Sequence, residues 1–182
     1  MIKQKFQNWL LFLIVFLTLF FLWKNRTFQP SLDSVAVFSV HDGDTITVII
    51  NHHHESLRLL GIDCPESNQK YGPEATEFTR KFLGLDRNPE TTVKLEFDNV
   101  VRDKYGRLLA YVFIPGDRML NQALVSNGLA VKFSIKPNEK YKESFAELQK
   151  QAREKGLNIW NPKDPLPETP YEFRQKMNLD SK

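Results

Sequence analysis

The feature that most constrains this chain is a set of short apolar runs, typical of buried strands, whose ends carry charged residues. Residues 58–66 read RLLGIDCPE, so that an arginine begins an apolar run and two carboxylates follow it. Residues 42–45 (DGDT) and 103–107 (DKYGR) place further acids and an arginine at the edges of two other runs. Charge at buried strand ends costs stability, which indicates a chemical role. If the three edges meet, they would form a metal site facing a phosphate clamp.

The order of the apolar runs predicts a small barrel. Strand-like runs, bounded by turn-forming residues, occupy residues 35–40, 45–50, 57–62, 93–97 and 107–114. Helical patterns occupy residues 73–83, 120–127 and 138–155. Five short strands with a helix inserted after the third predict a mainly β chain of the α+β class, built as a five-stranded OB-fold barrel with about three helices.

The amino-terminal residues differ in composition from the rest. Every residue from 9 to 23 is apolar except Thr18, and basic residues lie on both sides. As a helix this run would extend about 22 Å, which is short for a hydrocarbon core of about 30 Å unless flanking residues contribute. No small-x-small cleavage site follows it. We therefore expect residues 1–27 to be one transmembrane helix acting as a signal anchor, the alternative being a signal peptide whose cleavage secretes the protein.

Proline content and charge suggest the remaining boundaries. Residues 28–34 are expected to form a linker, residues 35–160 the barrel domain, and residues 161–182 a loosely ordered, proline-rich tail. The positive charges that flank the apolar run are nearly balanced, so its orientation rests on its similarity to a secretory signal. We expect the amino terminus in the cytoplasm and a monomeric domain on the outer side of the membrane.

The charge of the chain argues against a domain that binds polyanions through bulk charge. The chain has 25 basic and 22 acidic residues, but four of the basic residues and no acidic residue lie in residues 1–30. The remainder is close to neutral, so nucleic-acid affinity must come from a local arrangement of basic side chains. Cys64 is the only cysteine, which excludes an intramolecular disulfide, and we expect it to be a small buried residue rather than a nucleophile.

The three charged motifs and several others resemble the staphylococcal nuclease (thermonuclease) family. The further matches are YGPEA at residues 71–75, NQALV at 121–125, GLA at 128–130 and LNIW at 157–160. Together the matches cover about residues 35–160 in the family's order, which is far more specific than one short motif. The resemblance implies an OB fold and the hydrolysis of DNA and RNA with little sequence preference, leaving 3′-phosphates.

The acids predict a site for a hard divalent cation. Oxygen ligands without a His or Cys pattern favour Ca²⁺ or Mg²⁺ over zinc. The resemblance implies Ca²⁺, held by the side chains of Asp44 and Asp63 and by the main-chain carbonyl of Cys64, with Asp42 supporting the ligands from behind. Taken alone, residues 42–45 are also compatible with a turn closed by side-chain to backbone hydrogen bonds.

The remaining candidate residues act on the substrate. By resemblance, Glu66 is the candidate general base for the attacking water, the alternative being an acid at a helix N-terminus. Arg58 and Arg107 would donate paired hydrogen bonds to the phosphate as charge develops on it.

Substrate binding is expected from basic and aromatic neighbours. Lys104 and Tyr105 match positions that contact a terminal phosphate in relatives, and Phe133 is the nearest candidate for stacking on a base. The competing function is a membrane-anchored OB fold that binds single-stranded nucleic acid without cutting it. Such a module has no use for the acids and arginines just described, so we expect an enzyme.

Overall fold

The computed structural model describes residues 31–180 and, before them, only Phe16. Apart from Phe16, the predicted membrane segment, residues 1–27, therefore lies outside the described residues. Among the helices that the structure does describe, none is both long enough and apolar enough to cross a membrane.

Five strands close into a barrel, as predicted. They are β1 (Ser31–Val40), β2 (Thr45–Ile50), β3 (His53–Leu59), β5 (Thr92–Glu96) and β6 (Leu108–Ile114). The short strand β7 (Arg118–Met119) pairs with β6 in the same sheet, and β4 (Ile62–Asp63) and β8 (Val131–Lys132) form a separate two-stranded sheet. The order is β3-β2-β1-β5-β6, and parallel pairing of β3 with β6 closes the ring. Closure removes the free strand edges, so all five strands share one apolar interior.

Strand β1 is longer than expected and begins inside the segment predicted to be a linker. Ser31 pairs with Glu96 and Leu32 with Leu95, whereas the second half of β1 pairs with β2. The register shifts within β1 in both pairings, which bends the strand so that it serves two neighbours. Residues 31–34 are therefore part of the barrel rather than a linker.

The turn between β2 and β3 is tighter than the gap between the predicted runs at residues 45–50 and 57–62, because β3 begins at His53. Asn51 and His52 both have positive φ, as a two-residue hairpin turn requires. His53 is already paired with Ile50, and His54 is exposed on the strand.

Four helices are described where about three were predicted. They are α1 (Gly72–Leu83), α2 (Leu120–Ser126), α3 (Lys142–Glu154) and α4 (Pro170–Asp180). The fourth lies in the segment that we expected to be a loosely ordered tail. Helix α3 begins four residues later than predicted, because the Asn138 side chain instead donates to the Val100 carbonyl and accepts from its N–H, both at 2.8 Å.

One buried amide connects the barrel wall to helix α2. Asn121 is fully buried, its Oδ1 accepts from the Val112 N–H at 3.0 Å, and its Nδ2 donates to the Leu60 carbonyl at 2.9 Å. Leu60 precedes Gly61, which has φ of 78° and leaves no room for a Cβ because the Phe145 ring would lie 2.4 Å away. These contacts fix the turn that joins Arg58 to Asp63.

Candidate active site

A cleft of about 880 Å³ opens beside the ends of β3 and β4. Its wall combines acidic, basic and aromatic side chains, including Asp42, Arg58, Glu66, Lys104, Tyr105, Arg107, Phe133, Tyr171 and Arg174. Asp44 and Asp63 do not line the cleft themselves, but both contact Arg58, which does. The three charged motifs of the sequence therefore meet around one cavity.

Asp44 is held by a tight turn. Its N–H donates to Asp42 Oδ1 at 3.0 Å, and the hydroxyl of Thr79 on α1 donates to the Gly43 carbonyl at 2.6 Å. A Cβ at Gly43 would come within 2.8 Å of both Ala75 and Cys64. The hydrogen-bonded turn that residues 42–45 suggest is present. It places the Asp44 side chain in the interior, and Asp42 stabilises the turn by accepting from the Asp44 N–H.

Strand pairing places Asp44 beside Arg58. Thr45 on β2 lies opposite Arg58 on β3, so the residue before Thr45 reaches the arginine. Asp44 Oδ1 accepts from Arg58 Nη1, and Oδ2 accepts from the Cys64 N–H at 2.6 Å. Only 1% of Asp44 is exposed. Burial raises the pKa of Asp44 to about 7, and Arg58 opposes the shift.

Asp63 approaches the same guanidinium from the other side. It lies on β4, pairs with Val131 of β8, and is completely buried. Arg58 Nη2 donates to Asp63 Oδ1 at 2.5 Å. Burial disfavours the charged form of Arg58, but Asp44 and Asp63 outweigh it and raise the pKa of the arginine. Two buried carboxylates thus converge on one cationic group.

Glu66 is positioned by its backbone. Its carbonyl accepts from the Gln69 N–H at 2.8 Å, and its N–H donates to Gln69 Oε1 at 3.3 Å. The start of α1 passes so close that a Cβ at Gly72 would lie 1.8 Å from the Glu66 carbonyl oxygen. The carboxylate is not part of α1, which begins six residues later, so the interpretation of Glu66 as an acid in the first turn of that helix is wrong.

Arg107 lines the same cleft and directly precedes β6, the strand that pairs with the Arg58 strand. Its Nε donates to Asp103 Oδ2 at 2.8 Å, and its side chain is one third exposed. Partial burial acts against the charged form of Asp103, but the bonds from Arg107 and from two backbone amides lower the pKa of this acid. Tyr105 lies beside it, 73% exposed, with Arg107 Cζ 5.7 Å and Lys104 Nζ 5.0 Å from the ring centroid. The cleft therefore offers one basic and aromatic rim to a ligand.

Cys64 makes a different contact from the one predicted. The Cys64 N–H donates to Asp44, which is a candidate metal ligand. The role of the Cys64 carbonyl as a ligand stays a prediction. The thiol is 2% exposed, and burial, followed by the neighbouring Asp44, raises its pKa. A buried thiol of raised pKa is a poor nucleophile, in keeping with a packing role.

Sequence reasoning missed Arg174 and Tyr171. Arg174 donates from Nη1 to Asp63 Oδ1 at 3.0 Å and to Glu66 Oε1 at 2.7 Å, and from Nη2 to Asp63 Oδ2 at 2.9 Å. Tyr171 stacks on Phe133, with ring centroids 6.2 Å apart. Helix α4 carries both residues and therefore belongs to the site.

A readable signal did exist for this helix. The sequence TPYE places Thr169 before Pro170 and an acid three residues after the threonine, which is the pattern of a capping box. The structure shows the box: the Thr169 N–H and hydroxyl donate to Glu172 Oε2 at 2.8 and 2.7 Å. The pattern predicts the start of a helix but gives no indication of where the helix docks.

The donor set fits a hard divalent cation. Within residues 31–180 no group of three or more His, Cys, Asp or Glu side chains is arranged to hold a metal ion. The predicted set contains only two carboxylates, Asp44 and Asp63, so backbone and solvent oxygens would complete the six to eight ligands typical of Ca²⁺. Both carboxylates are buried and converge on one guanidinium, which shows that their oxygens lie close enough together to face one positively charged group.

Such a site can bind and polarise a phosphodiester. Arg58 and Arg107 line one cleft and can donate to phosphate oxygens, while Glu66 can accept a proton from water in the same cleft.

Comparison with known proteins agrees with this geometry. A family model described as staphylococcal nuclease homologue matches residues 56–162. A thermonuclease of Staphylococcus intermedius is 42% identical over 134 residues, which cover 70% of this chain and 76% of that protein. A thermonuclease of Staphylococcus hyicus is 40% identical over 131 residues, or 69% and 74% of the two chains. Endonuclease YncB of Bacillus subtilis is 36% identical over 141 residues, or 73% and 64%. This chain therefore belongs to the family of staphylococcal nuclease homologues.

Proposed function

We propose that this protein is a Ca²⁺-dependent nuclease that hydrolyses DNA and RNA with little sequence preference and leaves 3′-phosphate ends. The observation that carries the proposal is the meeting of Arg58, Glu66 and Arg107 in one cleft, next to the buried pair Asp44 and Asp63. Two relatives named thermonuclease and one named endonuclease support the same chemistry.

The arginines stabilise the charge that develops on phosphorus. A phosphodiester gains negative charge on its equatorial oxygens when water adds, and a guanidinium can donate two parallel hydrogen bonds to them. Asp44 and Asp63 hold Arg58 in a fixed orientation, so little rearrangement is needed during reaction. Arg107, which pairs with Asp103 and directly precedes the strand paired with that of Arg58, would donate to the same phosphate.

Glu66 is the group that takes the proton from the attacking water. Its backbone is fixed by Gln69 and by the close approach of Gly72, and its carboxylate faces the cleft. A carboxylate placed in this way is a sufficient base when the water is also polarised.

Asp44, Asp63 and the Cys64 carbonyl would hold the cation. When bound, Ca²⁺ supplies positive charge for the phosphate and lowers the pKa of nearby water. Asp42 keeps Asp44 in place through the hydrogen bond to the Asp44 N–H.

Lys104, Tyr105 and Phe133 are proposed to bind substrate. All three line the cleft, and the exposed Tyr105 ring offers a face on which a base can stack. The rim's basic side chains would attract the phosphate backbone although the rest of the protein is close to neutral.

We further propose that residues 1–27 anchor a monomeric nuclease domain outside the cytoplasm. The apolar run with basic flanks supports this, and Ca²⁺ is plentiful outside cells. Protease added to intact cells should remove the domain while leaving a cytoplasmic marker whole. Protection of the domain until the membrane is opened would contradict the proposed orientation.

The test of the function is a cleavage assay with single-stranded DNA and with RNA, in Ca²⁺ and in excess chelator. We expect cleavage of both substrates in Ca²⁺, none in chelator, and product ends that accept a label at the 3′ side only after phosphatase treatment. Substrate that is retarded on a gel but never cut would instead identify a nucleic-acid-binding module.

A further inference from the structure

Arg174 occupies the centre of the candidate active site from the carboxyl-terminal helix. It binds both oxygens of the fully buried Asp63, at 3.0 and 2.9 Å, and one oxygen of Glu66 at 2.7 Å. Two residues that the proposed function assigns to the cation and to the water are therefore engaged by the protein's own guanidinium. Charged hydrogen bonds of this bidentate type are among the stronger polar contacts in proteins.

The segment that carries Arg174 is fastened to the barrel at several points. Gln69 Nε2 donates to the Glu168 carbonyl at 3.0 Å, and the Tyr71 hydroxyl donates to the Asp164 carbonyl at 2.6 Å. Lys70 also forms an ion pair with Asp164. Residues 69–71 lie just after Glu66 in the chain. These contacts therefore position α4 next to the candidate base.

The helix also covers the proposed base-stacking residue. Tyr171 lies one turn before Arg174 and stacks on Phe133 at an interplanar angle of 26°. Both rings line the same cleft as Arg174. One short helix thus contacts the proposed cation ligand Asp63, the proposed base Glu66 and the proposed stacking surface at once.

Docking of α4 and binding of the cation compete with each other. Arg58 and Arg174 together occupy three of the roughly four lone-pair positions of Asp63, and the Arg174 guanidinium would repel a metal ion placed beside it. The cation binds readily only to molecules in which the helix is released. The apparent affinity for the cation is therefore the intrinsic affinity multiplied by the fraction of such molecules.

We propose that helix α4 is an intramolecular inhibitor, in which Arg174 takes the place of the divalent cation at Asp63 and also binds the candidate base Glu66, so that Ca²⁺ must displace it to form the active enzyme. This inference rests on the proposed function, which makes Asp63 a calcium ligand. It assigns a regulatory role to a segment that the barrel does not need for closure.

The test measures Ca²⁺ binding itself. Full-length protein in mild detergent is titrated with Ca²⁺ by isothermal calorimetry, as wild type and as Arg174→Ala, Arg174→Lys and Arg80→Ala. Arg80 is the charge-matched control, because its ion pair with Glu77 lies on the exposed face of α1. We expect Arg174→Ala to bind Ca²⁺ at least about fivefold more tightly than wild type, since the ion pairs of Arg174 with the buried Asp63 and with Glu66 no longer compete. The Ca²⁺ affinity of Arg174→Lys should lie between those of Arg174→Ala and wild type. The affinity of Arg80→Ala should equal that of wild type.

Hydrogen exchange of the wild-type protein provides the second readout. Peptides covering residues 170–177 should exchange faster in saturating Ca²⁺ than in chelator, because displacement of Arg174 releases the helix. Equal Ca²⁺ affinity of wild type and Arg174→Ala, with exchange of these residues unchanged or slowed by Ca²⁺, would overturn the inhibitor while leaving a calcium-dependent nuclease intact. Absence of Ca²⁺ binding and of cleavage in both proteins would overturn the proposed function and the inhibitor with it.

Discussion

Replacement of Asn121 by Ala tests how the fold holds the catalytic segment. The side chain accepts from the Val112 N–H and donates to the Leu60 carbonyl, and the residue is fully buried. Alanine would leave both backbone groups buried without a partner, at about 1–3 kcal/mol each, so the free energy of unfolding should fall by about 2–6 kcal/mol. For a loss of about 4 kcal/mol and an m-value of about 2 kcal/mol per M, the urea midpoint falls by about 2 M.

The assay is urea unfolding of residues 28–182, followed by circular dichroism, with Asn127→Ala as the control. Asn127 closes the same helix, but its side-chain bond to the Ala123 carbonyl is exposed, so its removal should cost less than about 0.5 kcal/mol. A free energy of unfolding of Asn121→Ala within about 1 kcal/mol of wild type would refute the reasoning. It would show that the Val112 N–H and the Leu60 carbonyl lose little when the Asn121 amide is removed.

Two substitutions and one labelling experiment test the site further. Arg58→Lys should lower the cleavage rate about 100-fold or more, because an ammonium group cannot form the paired bonds of a guanidinium, and steady-state kinetics would show the loss mainly in kcat. Gly72→Ala should also lower activity, since a Cβ there would collide with the Glu66 carbonyl and displace the carboxylate; a crystal structure with Glu66 unmoved would contradict this. Cys64 should react with a thiol reagent only after unfolding, because it is buried and its pKa is raised, so rapid labelling of the folded protein would count against the packing role.

Much of the barrel could be predicted because its signals are local. β-Branched runs with turn residues between them predicted the five strands, and direct pairing of Thr45 with Arg58 then brings Asp44 to the arginine. The contact between Asp44 and Arg58 thus follows from the register of the β2–β3 hairpin. The start of β1 was placed late because residues 31–34 are stabilised by pairing with a distant strand rather than by their own pattern.

The part that sequence reasoning missed depends on distant contacts. Arg174 reaches Asp63 across 111 residues, and no periodicity near either residue indicates that they meet. The prolines of residues 161–170 suggested a loose segment, although Thr169 and Glu172 form a capping box that begins a helix. The local signal predicts the element, and only the folded structure shows that its arginine enters the active site.

The most direct test of the account is the cleavage rate of Glu66→Gln in saturating Ca²⁺, compared with wild type and with Glu74→Gln. Glu74 is an exposed acid in the first turn of α1, so its replacement changes charge and size in the same way outside the cleft. We predict a loss of at least about 100-fold for Glu66→Gln and an almost unchanged rate for Glu74→Gln, because only Glu66 is placed to accept a proton from water. A Glu66→Gln rate within about threefold of wild type, with Ca²⁺ bound, would contradict the assignment of Glu66 as the catalytic base.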